Sequence, residues 1–205
     1  MKFIANFLSG VLHPLLLPTY IFSLIFFVVP EIISPINPSV FLTLFLIISV
    51  STCIIPVFIV VIMYKFNIVK KINIEDRKDR FIPQVISCLI YSFVTWLFYS
   101  KIPQVPTLYL IMTSITICMI IVTTTNFFWK ISAHSTGMGG LVSFITFCTY
   151  FYGEETLLLI LGLTIIFSGF VMASRLYLHV HTIGQVCAGF MVGLIAGLGV
   201  LSNIS

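Results

Sequence analysis

The chain has 205 residues, of which 60% are hydrophobic and 8% charged, and its formal net charge is +4. Soluble domains carry about 25% charged residues, so a water-soluble surface is excluded; membrane lipids are the expected surroundings and no nucleic-acid partner is expected. The length is that of one domain, and neither an internal repeat nor a Gly/Ser- or Pro-rich linker divides 1–205.

The opening stretch, "MKFIANFLSGVLHPLLLPTY", joins a basic residue to an apolar run without a small-residue cleavage site, and reads as the approach to a first membrane span. A hydrocarbon core about 30 Å thick calls for about 20 apolar residues per helix. Runs of that kind occur at 11–30, 39–63, 81–100, 106–128, 137–153, 156–173 and 182–202. The expected fold is therefore an all-α polytopic bundle of about seven transmembrane helices. Six is the alternative, because the "YGEET" turn between the fifth and sixth runs is so short. His13, in "LHPLLLP", reads as a polar group beside a Pro-kinked first helix. Cys53, Cys88, Cys118, Cys148 and Cys187 all lie in apolar runs, as packing residues do, and suggest neither a disulfide framework nor a CxxC metal pair. The glycines of "STGMGG" and "AGFMVGLIAGLG" read as sites of close helix packing.

Following the chain through these spans puts "KFNIVKKINIEDRKDRF", "WKISAHSTGMGG" and "SRLYLHVHTIGQ" on one face of the membrane. Nine of the ten Lys and Arg residues fall there, counting Lys2, whereas Lys101, Glu31, Glu154 and Glu155 fall on the other side. The excess of positive charge marks that face as cytoplasmic, and a bacterial inner membrane is the expected location. Taken singly, each cluster fits an interface, where basic side chains snorkel and Trp129 and Tyr177 join the aromatic belt. Taken together they put Arg175, His181, His134, Lys130 and the Arg77–Arg80 loop on one side, although ionisable groups at membrane depth are costly and tend to face a bundle interior.

Phosphoryl transfer needs this mixture. Cationic and hydroxyl donors surround the phosphate oxygens, with a bidentate arginine the best of them. Without a metal, one histidine can take the phosphoryl group and another can protonate the leaving oxygen. On a continuous helix Ser174 and His181 share a face and Gln185 lies one turn beyond His181, whereas His179 points roughly the opposite way. His181 therefore takes the catalytic position and His179 an interface role.

The same residues resemble the signature of the type 2 phosphatidic acid phosphatase superfamily of membrane lipid phosphatases and haloperoxidases: a loose "KxxxxxxRP", then "PSGH", then "SRxxxxxHxxxD". Ser174, Arg175 and His181 fit the third motif residue for residue, with Gln185 at the position of the family Asp. "ISAH" at 131–134 keeps Ser132 and His134, with Ile for Pro and Ala for Gly. Lys70 and Arg77 have the spacing of the first motif, with Lys78 in place of Pro, and Arg80, followed by Pro83, is an equally good arginine. The resemblance spans about 70–185. It implies that His181 attacks phosphorus, that His134 protonates the leaving group, and that Arg175, Ser132, Ser174 and one or both of Arg77 and Arg80 hold the phosphate. Lys130, one helical turn before His134, joins the cradle on its position alone. No metal or other cofactor is implied. The implied substrate is a phosphate or diphosphate on a lipid whose tail stays in the bilayer.

Two other readings follow from the same residues. One is a non-enzymatic relative that binds or carries phosphorylated lipid, favoured by Gln185 and by the altered first motif. The other is a metal or haem protein using His13, His134, His179 and His181, disfavoured because His134 and His181 sit at span ends.

Overall fold

Proline placement decides where the helices of this chain begin and break. The computed structural model describes residues 2–69, 77–153 and 155–202, with the side chains of Arg77 and Lys78 outside that description. Its elements are helical throughout the described residues: α1 (Lys2–Val11), α2 (Leu17–Phe27), α3 (Phe41–Ser49), α4 (Ile55–Lys65), α5 (Arg77–Lys101), α6 (Pro106–Thr125), α7 (Ala133–Tyr152), α8 (Glu155–Tyr177) and α9 (Ile183–Leu201). Short 3₁₀ turns at Pro30–Ile33 and Pro38–Val40 join α2 to α3.

Of the single first span expected at 11–30, only Leu17–Phe27 is an α-helix, and a turn separates it from α1, which ends at Val11. Pro14 has no backbone N–H and disfavours helical geometry at His13, which favours a break at this point, although α5 carries Pro83 inside it. The second run does continue from Pro38 to Lys65, but Val50–Ile54 is wound as a π-helix. Pro56 explains what happens there. A residue with an N–H at position 56 would donate to the Thr52 carbonyl; Pro56 cannot, and the Tyr91 hydroxyl from α5 donates to it instead at 2.8 Å.

Among the described residues, five stretches are long and apolar enough to cross a membrane: Pro38–Lys65, Asp79–Lys101, Pro106–Thr125, Glu155–Tyr177 and Ile183–Leu201; α2 is a shorter apolar helix. Large apolar side chains on their outer faces, among them Leu42, Phe58, Leu159 and Ile195, are exposed, as a lipid-facing surface requires. The chain is a multi-pass helical membrane protein. At 20 residues α7 is about 30 Å long, matching the hydrocarbon core, but its Gly, Ser and Thr residues make it less apolar than α6, α8 and α9. It stands at the centre, packed on α9, α8, α6 and α2.

Small residues make that position tenable. A Cβ on Gly193 would overlap the Thr136 carbonyl, and one on Gly139 the Phe190 carbonyl; on Gly197 it would meet the Ser143 hydroxyl. Of the glycines expected to permit close packing, Gly139, Gly189, Gly193 and Gly197 do so at the α7–α9 seam, whereas a Cβ on Gly140 or Gly199 meets nothing within 4 Å. Membrane helices lack a hydrophobic drive toward one another, and this backbone-to-backbone approach supplies the dispersion contact that replaces it. Several buried hydroxyls are satisfied locally: Thr116 donates to the Met112 carbonyl at 2.8 Å and Ser168 to that of Thr164 at 2.7 Å.

Candidate functional site

The segment 174–185 contains a helix end, a turn and a helix start, not one continuous helix. The α8 helix closes with a Schellman motif: the Val180 N–H donates to the Arg175 carbonyl and the His179 N–H to that of Leu176. His179 occupies the left-handed position at φ 54° and is exposed. Thr182 then caps α9 with Gln185 in a reciprocal capping box. His179 and His181 are thus separated as expected, but by a turn and not by opposite faces of a helix.

The capping box also settles the orientation of Gln185. Its side-chain carbonyl accepts from the Thr182 N–H at 3.2 Å and lies 3.1 Å from His181 Nδ1. Turning the amide would point its NH₂ at a backbone donor, so the carbonyl stays inward and holds the proton on Nδ1. His181 Nε2 is then the bare nitrogen. Burial, followed by the charges of Arg80, Arg175 and Lys130, lowers the His181 pKa from the ordinary 6.5 to about 4 against the opposing hydrogen bond from Gln185. The ring is neutral at physiological pH.

Ser132 joins the second motif to the third. Its N–H donates to the Gln185 backbone carbonyl at 3.3 Å, and its side chain caps α7 by accepting from the Ser135 N–H at 3.3 Å. The Ser135 hydroxyl also donates to it at 3.0 Å. Gly189 permits this contact, since a Cβ there would come within 2.6 Å of the Ser132 carbonyl.

A cavity of about 610 Å³ opens beside these elements. Arg80 from α5, His134 from α7 and Arg175 from α8 line it, so the three polar clusters of the sequence do meet. Its deeper wall is apolar, including Ile21, Val57, Ile115 and Phe144. Along α6 it reaches from Val122 to Ile111, about 16 Å at 1.5 Å per residue. The charges of Arg80 and Arg175, which line the cavity, also reach His181. His181 itself is buried, 8% exposed, and is not on the cavity wall; neither are Ser132, Ser174, Gln185 and Lys130.

Other expected residues are placed differently from the sequence reading. Lys130 lies in a non-helical segment that ends at the Ser132 cap, so it is not one helical turn from His134, although its charge reaches His181. The Ser174 hydroxyl donates to the Phe170 carbonyl at 2.7 Å, leaving only its lone pairs for another partner. Arg77 begins α5 with its side chain outside the described residues, and Lys70 lies outside them altogether.

Two features of the site escaped the sequence reading. His134 Nε2 lies 3.0 Å from the Ser9 carbonyl of α1, so it carries a proton and donates. His13, from the α1–α2 turn, stands edge-on to His134 with ring centroids 5.2 Å apart, and it too lines the cavity. The available signal was sidedness: the N-terminal segment begins on the same face as the three clusters.

The arrangement provides two arginines, a donor histidine and an apolar channel in one cavity, with a second, neutral histidine fixed behind them. Among the described residues no three His, Cys, Asp or Glu side chains gather as metal ligands. Comparison of the chain with protein-family models, with curated proteins and with solved structures found no match, so the geometry of these residues carries the functional argument.

Proposed function

We propose that the protein is a metal-independent membrane lipid phosphatase that hydrolyses a lipid phosphate or diphosphate through a phosphohistidine on His181. The observation that carries this reading is the single cavity that joins Arg80, His134 and Arg175 to an apolar channel. Arginines suit the headgroup oxygens, and the channel suits the hydrocarbon tail. His181 Nε2 attacks phosphorus while the carbonyl of Gln185 holds the Nδ1 proton. His134 passes its Nε2 proton to the leaving oxygen, which becomes the alcohol of a monophosphate substrate or the remaining lipid phosphate of a diphosphate; water then attacks phosphorus and returns a proton to His134, releasing phosphate and restoring His181. The bundle crosses the membrane seven times, with α2 the embedded part of the first crossing and α7 the fifth, and the site opens to the cytoplasm of a bacterial cell.

The test is release of phosphate by protein purified in detergent and offered a panel of lipid phosphates and diphosphates without added metal. Release from at least one of them is expected, and none from any would reject the enzyme. Sidedness is read separately by single cysteines in a cysteine-free background. Phe128→Cys should resist an impermeant thiol reagent in intact cells while Glu155→Cys reacts; the reverse pattern would place the site outside.

A second reading, a protein that binds or carries phosphorylated lipid without turnover, is favoured by the position of His181 off the cavity wall. It expects tight retention of a lipid phosphate with no phosphate release.

A further inference from the structure

The turn between α1 and α2 is docked onto the start of α7 by a contact that depends on glycine. A Cβ on Gly137, nearly one turn past His134, would overlap the Leu17 side chain and come within 3.8 Å of the Pro14 backbone. Because Gly137 leaves that space, the turn lies flat on α7 and brings His13 edge-on to His134. On the other side, the Ser9 carbonyl of α1 accepts from His134 Nε2. The N-terminal segment therefore sets the orientation of one histidine and adds another.

The tautomer of His13 follows from its own contacts. The Leu15 N–H donates to His13 Nδ1 at 3.3 Å, so Nδ1 is the acceptor and the ring proton lies on Nε2. Among the described residues Nε2 has no hydrogen-bond partner, and the residue lines the cavity with Arg80, His134 and Arg175. A neutral N–H donor beside two cationic side chains suits an anionic headgroup. It adds a directed hydrogen bond without a further positive charge that would repel the arginines.

We propose that His13 is a further phosphate ligand of this site, a neutral imidazole whose Nε2–H hydrogen-bonds a headgroup oxygen beside Arg80, His134 and Arg175. The proposal rests on the lipid-phosphate reading of the cavity and adds a residue outside the three motifs. Hydrogen bonds to charged groups are among the stronger ones, so its loss should be measurable in binding and in KM more than in kcat.

The probe is octylphosphonate, which carries a phosphate-like headgroup and a chain but has no hydrolysable P–O–C bond. Its affinity for the detergent-purified protein is measured by equilibrium dialysis, and phosphate release from lipid phosphates is measured in parallel. His13→Phe keeps the ring volume and removes the donor. His13→Asn keeps an acceptor for the Leu15 N–H but does not reach the Nε2 position. Both should weaken octylphosphonate binding by at least about tenfold and raise KM by a similar factor. His13→Gln, whose amide nitrogen approximates Nε2, should stay within about threefold of the wild type. Wild-type affinity in whichever of His13→Phe and His13→Asn folds would overturn the proposal, as would an effect confined to kcat. Octylphosphonate binding by a wild-type protein without turnover would reject the phosphatase reading while the binding comparison still decides the role of His13. No binding by the wild type would overturn both.

Discussion

The two walls of the cavity are held by different means. On the C-terminal side, α7 and α9 meet backbone to backbone along a glycine seam, and the Thr182–Gln185 capping box, the Ser132 cap and the Ser132-to-Gln185 bond fix the histidine region locally. On the N-terminal side, α1 to α4 are broken by Pro14 and wound into a π segment ahead of Pro56, and their contributions arrive through tertiary contacts, Ser9 to His134 and Tyr91 to Thr52. Local caps and a close helix seam hold the proposed nucleophile behind one wall, whereas an irregular wall built by tertiary contacts lines the cavity where the proposed headgroup sits.

The largest expected effect strikes the seam. Gly193→Ala puts a methyl into the Thr136 carbonyl, an overpacking that costs about 1–3 kcal/mol or more. It should lower the melting temperature in detergent by at least about 5 °C. Gly169→Ala on α8, where a Cβ meets nothing within 4 Å, should lower it not at all. Equal effects from the two changes would mean that the α7–α9 approach is not what holds this wall.

The next test addresses Gln185. Gln185→Leu removes the acceptor that holds the His181 Nδ1 proton, and turnover should fall by at least about 100-fold, short of the roughly 10⁴ seen when a serine-protease triad loses its Asp. Gln185→Asp keeps an acceptor and adds the charge that stabilises the developing imidazolium. Its turnover should rise about tenfold, equivalent to about 1.4 kcal/mol of barrier. An unchanged rate in Gln185→Leu would remove Gln185 from the mechanism.

A pH profile tests the same region less drastically. The competent form of His181 is neutral, and its folded-state pKa of about 4 lies below the ordinary 6.5. The acid limb of kcat/KM should therefore lie near pH 4, with the rate lost as pH falls through that value. Stability has the same sign: between those two values the unfolded chain binds the extra proton, so the folded state weakens as pH drops from 6.5 toward 4. A rate that halves near pH 6.5 would show His181 to be solvated and not buried.

The smallest effect belongs to His179. A non-glycine residue in left-handed geometry is strained by about 1–2 kcal/mol, part of which glycine returns through its more flexible unfolded chain. His179→Gly should stabilise the protein by about 0.5–1 kcal/mol and leave turnover unchanged. A loss of turnover as large as that in His181→Ala would undo the division of roles between the two histidines.

The division between the walls also explains what the sequence disclosed. Within 174–185 the pairing of His181 with Gln185 was legible because it is a local i to i+4 hydrogen bond, whereas the Schellman turn and the Thr182 cap that interrupt the helix were not read. The long apolar runs and the packing role of the glycines were legible for a similar reason, since hydropathy and residue size act directly on helix formation and approach. The break at Pro14 was read as a kink, because a proline in an apolar run permits either outcome and the docking of Leu17 over Gly137 decides between them. His13 and Ser9 were not legible as site residues. Their partner, His134, lies more than a hundred residues away in sequence, and no local pattern encodes that meeting.

The central claim, that His181 carries the phosphoryl group, is tested most directly by trapping it. Wild-type protein is incubated with a lipid phosphate labelled with ³²P at the headgroup and quenched in alkali, where phosphohistidine survives. Digestion then locates the label. The account predicts labelled phosphohistidine in the peptide containing His181, and none in His181→Ala, which should also release no phosphate. Phosphate release by a correctly folded His181→Ala protein, or label on His134 in its place, would contradict it.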